Sequence, residues 1–263
     1  MNAHFWRLFW RQVNIQMRIR VINAWNMSVF FIQPAIFSAV GMILARVAGQ
    51  QVPNLVYTVI GGGVMGIWSG MLFTSTFDIL RDRRDGVLEL IVGSPTSLGT
   101  VEAIRTFANV SAGLVSMLAA LLAAVCIFHY DFHGANLGGA VFSFALLLVG
   151  MWAMGLFLSN FLAWSRLSGT FINYLEAPVA VLCGFMYPVS ILPGWMQAIS
   201  MIFPIRWALE AMDACLLGTS DPARLVPLWG LALAVILVYL LLAHWLEGLV
   251  HDKIRVTGEL NSI

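Results

Sequence analysis

Charge is what this sequence has least of. Of its 263 residues only 10% are Asp, Glu, Lys or Arg, and Lys253 is the single lysine, so a Lys-rich surface for nucleic acid is excluded. Cysteine is also scarce: Cys126, Cys183 and Cys215 are odd in number, far apart and set among apolar residues. Neither a disulfide framework nor a thiolate metal site fits that pattern, and the three read as packing residues. There is no G-x-x-x-x-G-K-[ST] phosphate loop, because Lys253 is followed by Ile254, and no G-x-S-x-G elbow or H-E-x-x-H pair. The chain therefore brings no ATP site of that kind and no catalytic constellation. A cleaved signal peptide is not expected either, since an arginine-bearing stretch of about 25 residues comes before the first apolar run.

What is abundant is apolar. Hydrophobic residues make up 60% of the chain and the mean hydropathy is +0.87, which places it in a membrane. A bilayer core of about 30 Å needs roughly 20 apolar helical residues. Six such spans are expected, near Trp25–Ala45, Asn54–Phe77, Thr106–Phe128, Asn136–Trp164, a fifth from Ser168, and Leu225–Leu246. Before the last span comes an apolar stretch broken by Pro188, Pro193 and Pro204. Broken apolar helices at membrane depth need protein around them or a cavity to line, so residues 186–224 read as a re-entrant or interfacial hairpin.

The expected class is thus an all-α integral membrane protein forming one domain. Its parts are an interface helix over 1–24, six spans, a charged loop over 78–100, the hairpin, and a tail over 251–263. With both ends on one side, eleven Arg and Lys residues fall there and three on the other, which puts both termini in the cytoplasm.

Several motifs carry sharper expectations. In "HFWRLFWRQVNIQMRIR", Arg7, Arg11 and Arg18 share one helical face opposite Phe5, Trp6 and Phe9, as in a helix lying on a lipid surface. The plainer reading is a topology anchor. Gly62, Gly66 and Gly70 recur every four residues and predict close helix packing, within one subunit or between two. Glu176 is the one carboxylate well inside an expected span, with Asn173 and Tyr174 within a turn of it. An acid there costs on the order of 2.5–3.5 kcal/mol to insert, so it reads as lining a substrate path or gate, or as a hydrogen-bonded structural carboxyl. Arg206, Glu210 and Asp213 have the i, i+4, i+7 spacing of an ion-pair ladder, best read as structural. "HYDFH" puts His129, Asp131 and His133 together, but with no fourth ligand a wetted loop is the better reading and no metal site is expected.

The densest charge lies in "FDILRDRRDGVLELIVGSPTS". Seven of the 27 charged residues fall between Asp78 and Glu89, mixed with Leu80, Val87, Leu88 and Ile91. A purely solvated loop has no need of those apolar side chains. Charges of both signs beside an apolar seat suit a short interfacial helix that meets a cytoplasmic protein in one register. Gly86 and then Ser94-Pro95 are expected to end helical pieces, with Thr100 opening the next span.

The order of these parts resembles the membrane subunits of type-2 ABC exporters: a basic amphipathic helix, "RDRRDGVLELIVGSPTSLGTVEAIR" after the second span, and "FPIRWALEAMD" after a proline-broken hairpin. The resemblance covers about Phe5 to Leu249. It implies that Arg81, Asp82, Arg83, Arg84, Asp85 and Glu89 dock onto a separate ATPase, and that Arg7, Arg11 and Arg18 touch the same partner. It further implies two ATPase copies holding ATP and magnesium, and a second permease subunit, identical or homologous. The setting it implies is a bacterial plasma membrane. This chain itself would bind no cofactor and catalyse nothing. An amphiphilic cargo such as a drug, lipid or glycolipid is the expectation. The competing readings are an ATP-independent secondary transporter using Glu176, and a membrane-embedded enzyme of lipid or glycan chemistry.

Overall fold

The computed structural model describes residues 53–87, 97–126, 136–165 and 170–257, with isolated positions 10, 11, 14, 32, 36, 39 and 90. The described residues form eight α-helices and one 3-10 turn, and no strand. In chain order they are α1 (Pro53–Arg84), α2 (Leu98–Ala112), α3 (Leu114–Cys126), α4 (Leu137–Ser165), α5 (Thr170–Leu182), the 3-10 turn Val189–Ile191, α6 (Gly194–Ser200), α7 (Pro204–Leu216) and α8 (Pro222–Thr257).

Four helical stretches are long and apolar enough to cross a membrane: Val59–Thr76, Leu98–Leu122, Leu137–Ser165 and Pro222–Val250. They correspond to the expected second, third, fourth and sixth spans. The expected first span and most of the interface helix, including Arg7 and Arg18, lie outside the described residues. Trp10 and Arg11 within that helix are helical and exposed.

Within the expected fifth span the described part is helix α5, 13 residues from Thr170 with a rise of about 20 Å at 1.5 Å per residue, ended by a turn at Cys183–Gly184; residues 166–169 lie outside the described residues. The third span differs, since it begins at Leu98 rather than Thr106. Ser97, not Thr100, is its cap, and the Ser97 hydroxyl accepts from the Thr100 backbone N–H at 3.2 Å. Glu102 and Arg105 therefore sit inside the helix, ahead of the apolar run expected from Thr106.

Helix α1 is the centre of the bundle and packs against α2, α3, α4 and α5. Its Ile67, Trp68, Met71 and Leu72 have no exposed surface. They share the core with Leu147 and Met151 of α4 and with Phe185 beyond α5. A side chain at Gly61 would run into the Phe185 backbone, so only glycine lets that strap lie on α1. Lipid is as apolar as leucine, so helices gain little by hiding from it, and shape fit and interhelix hydrogen bonds set their register. Trp229 of α8 donates to Ser143 of α4 at 2.8 Å, and Asn160 of α4 donates to the Ala243 carbonyl at 3.1 Å. Leu233, Leu237 and Leu241 on α8 are half-exposed or more, as a lipid-facing row would be.

The prolines of the expected hairpin act as helix starts. Pro188 precedes the 3-10 turn, Pro193 caps α6 and Pro204 is the first residue of α7, the position where a missing N–H costs nothing. Helix α7 then buries most of its length against α4 and α8.

Candidate functional site

Helix α1 continues past its apolar window into "FDILRDRR", and the charges there divide between two faces. Ser75, Asp78 and Asp82 have i, i+3, i+7 spacing and turn inward; Arg81 and Arg84 turn outward. On α2, Glu102, Arg105 and Asn109 repeat the same spacing and meet the inward face. Arg105 pairs with Asp82 in a close contact and with Glu102 at 3.4 Å. Asn109 donates to Ser75 at 2.6 Å and to Asp78 at 3.4 Å. Ser159 of α4 donates to the other Glu102 oxygen at 3.2 Å, so three helices are tied through one carboxylate. Glu102 is 1% exposed and Asp78 6%, so these bonds are made away from water.

Burying so many charged groups is costly unless each is compensated. Arg105 reaches both Asp82 and Glu102 through one nitrogen, Nη1, while its Nε is buried without a hydrogen-bond partner. The network holds the end of α1 against α2 and α4. It does so immediately before the chain leaves the bundle.

The exit is sharp. The Val87 N–H donates to the Asp82 carbonyl at 2.9 Å, and Gly86 has φ +68°. That is a Schellman ending, with glycine at the left-handed position. Arg84, Asp85, Gly86 and Val87 are exposed at the tip, and Leu90 beyond it is 75% exposed.

Of the residues expected to meet a partner, Arg81, Arg84 and Asp85 are on the open surface. Asp82 is instead engaged by Arg105, because α2 lies over its face. The Arg83 and Glu89 side chains lie outside the described residues. Arg105, Glu102 and Asp78 were not expected as a unit. The signal was the shared i, i+3, i+7 polar face on the two flanking helices.

Glu176 lies on α5 against α1. Its carboxylate accepts from Ser69 at 2.5 Å, and its backbone carbonyl accepts from the Trp68 indole at 3.2 Å. Tyr174 is 72% exposed on another face of α5, and the Asn173 side chain lies outside the described residues. Gly62, Gly66 and Gly70 are all buried along α1.

The expected ladder on α7 stops at its second member. Arg206 and Glu210 approach to 3.9 Å, while Asp213 is on the buried side, 3% exposed, and its Oδ1 has no hydrogen-bond partner. Arg206 is held elsewhere: Nη1 donates to the Gln197 carbonyl at 2.9 Å and to Ser200 at 2.7 Å, and the guanidinium lies over Trp207. His129, Asp131 and His133 lie outside the described residues, and no cluster of three or more His, Cys, Asp or Glu side chains that could hold a metal occurs among the described ones.

An apolar helical bundle with a charged, tied-down end defines a multi-pass membrane protein. The sequence profile of the ABC-2 type transporter family matches residues 3–217. The chain belongs to that family and is a transport permease, a class that associates with an ABC ATPase. No curated protein matches it.

Proposed function

We propose that this chain is the membrane subunit of an ATP-driven exporter, paired with a second permease subunit and coupled to two copies of a separate cytoplasmic ATPase. The observation that carries the reading, beyond family membership, is the division of charge at the end of α1. One face is locked to α2 and α4 through Asp82, Arg105, Glu102 and Ser159. The other presents Arg81, Arg84 and Asp85 to whatever lies beyond the bundle. A docked ATPase that displaces the tip would thereby move three helices together, because the network leaves α1 little freedom to bend alone. Six spans, counting one before α1 and one containing α5, and cytoplasmic termini complete this reading. The cargo is amphiphilic.

The test is purification of the tagged chain in mild detergent from its native host, with mass spectrometry of stoichiometric partners. The expected result is a nucleotide-binding subunit in equal amount, lost when Arg81 and Arg84 are both changed to Glu. Recovery of the chain alone, active in liposomes without ATP, would overturn the reading and favour secondary transport.

A further inference from the structure

Tyr57 and Asp78 are separated by 21 positions on α1, so by the helical rise they stand about 30 Å apart, at opposite ends of the bundle. At the Tyr57 end there is a cavity of about 460 Å³ between the first turns of α1, the strap after α5, α7 and the start of α8. Its ionisable lining is Tyr57, Tyr187, Arg206, Glu210, Asp213 and Arg224, with Cys183 at its base. The volume falls within the range of small-molecule sites, of roughly 300–1,000 Å³.

The polar groups around it are unevenly satisfied. Tyr187 donates to the Val181 carbonyl at 2.9 Å. Arg206 donates through Nη1 to Gln197 and Ser200, while its Nε, 3.9 Å from Glu210, is buried without a hydrogen-bond partner. Asp213 Oδ1 is buried without a partner. Leaving a buried polar group unmet costs about 1–3 kcal/mol, so the cavity asks for a donor or positive charge beside Asp213 Oδ1 and for an acceptor, such as a hydroxyl oxygen, beside Arg206 Nε. Glu210, three positions earlier on α7, adds a second carboxylate at the same wall.

We infer that this cavity binds a small organic cation, a protonated amine whose charged head meets Asp213 and Glu210 and whose apolar or hydroxylated body lies along Tyr57 and Tyr187. A bare metal ion fits less well, because two carboxylates do not make a coordination set and the space far exceeds one ion. Tyrosine walls suit an organic cation, which is attracted to aromatic faces as well as to carboxylates. The inference concerns binding at this end of the bundle and is independent of the ATPase partner.

Burial first, and then the like charge of Glu210, push the Asp213 carboxyl well above the usual carboxylate range. Binding a cation there therefore expels a proton, and affinity rises with pH. The other groups facing it are Arg206 on the same helix, Tyr57 from α1, Cys183 and Tyr187 from the strap, and Arg224 from α8.

The experiment is calorimetric titration of the full chain, in nanodiscs of zwitterionic lipid with empty nanodiscs subtracted, using phenethylamine and its uncharged counterpart 2-phenylethanol. Saturable amine binding is expected, at least about tenfold tighter than the alcohol. The preference should shrink in Asp213→Asn and when the pH is lowered by about two units. Equal binding of amine and alcohol, no saturable binding, or an amine affinity unchanged in Asp213→Asn would overturn the inference. If that variant does not fold, Glu210→Gln at the half-exposed rim takes its place. A loss of about threefold or more in amine affinity is expected there, and no loss counts against the site.

Discussion

The two ends of α1 both bury carboxylates, and they treat them in opposite ways. At the Asp82 end Arg105 and Asn109 reach across from α2, and Ser159 reaches from α4, so the acids serve as fasteners. At the Tyr57 end the nearest arginine, Arg206, is diverted to Gln197 and Ser200, so Asp213 faces a cavity with one oxygen unmet. A satisfied buried charge stiffens a joint, whereas an unsatisfied one stores a demand that a ligand can meet. The difference teaches that burial of charge in a membrane helix has no single meaning; the partner does. One end of this bundle is built to be held and the other to receive.

The contrast is broken most severely by removing the cation at the fastened end. Arg105→Ala leaves Asp82 and Glu102 facing one another without their shared partner, and loss of one member of a buried pair costs about 3–5 kcal/mol. A large drop in the thermal midpoint in detergent is expected. Arg105→Lys should recover part of it, because an ammonium keeps the positive charge but on a stem of different length and shape. Equal midpoints for wild type and Arg105→Ala would mean that the network is decorative.

The exposed face of the same end should behave differently. Arg84→Glu changes a group already in water, so stability is expected to move by no more than about 0.5 kcal/mol, while the nucleotide-binding subunit is lost on purification; Arg81 also lies 3.8 Å from the buried Asp78, so adding Arg81→Glu should cost more. Loss of stability together with loss of the partner would erase the distinction between an inward and an outward face of α1.

At the receiving end the sign reverses. Because the Asp213 carboxyl is held well above its unfolded value of about 4, the folded protein takes up a proton that the unfolded chain gives away. Its unfavourable contribution is absent below about pH 4 and grows as pH rises toward the folded-state value. Asp213→Asn should remove that decline, so the variant gains stability over wild type as pH rises. Parallel melting curves across pH would show that Asp213 is compensated in solution. A cationic ligand should stabilise wild type more than the variant.

Much of this was legible in the sequence. Low charge and long apolar runs announced a membrane bundle, and four of the expected spans correspond to long apolar helices. Gly86 was readable as a helix stop because φ +68° is a conformation few other residues tolerate. The failures share a cause. The Asp82–Arg105 contact was not readable, because hydropathy counts a charge without its partner. Only the pairing of two i, i+3, i+7 faces on adjacent helices reveals that these groups meet one another inside. Asp213 was misjudged in the opposite direction: spacing offered it Arg206 as a partner, but tertiary contacts with Gln197 and Ser200 had a stronger claim on that guanidinium.

Glu176 stands between the two ends and sharpens the comparison with the smallest expected effect. Its carboxylate is engaged by a neutral hydroxyl, since Ser69 of α1 donates to it at 2.5 Å. Ser69→Ala removes one interhelix hydrogen bond, worth about 0.6 kcal/mol on average within membranes and up to about 1.7. Glu176→Gln keeps an acceptor oxygen for Ser69 and should cost less still. If Glu176 also lines the cargo path, Glu176→Gln should change transport in reconstituted vesicles while the midpoint stays near that of wild type. A variant that melts and transports like wild type would assign Glu176 to the joint between α1 and α5 alone. The opposite outcome, altered transport at unchanged stability, would mean that one carboxylate serves both the fold and the cargo.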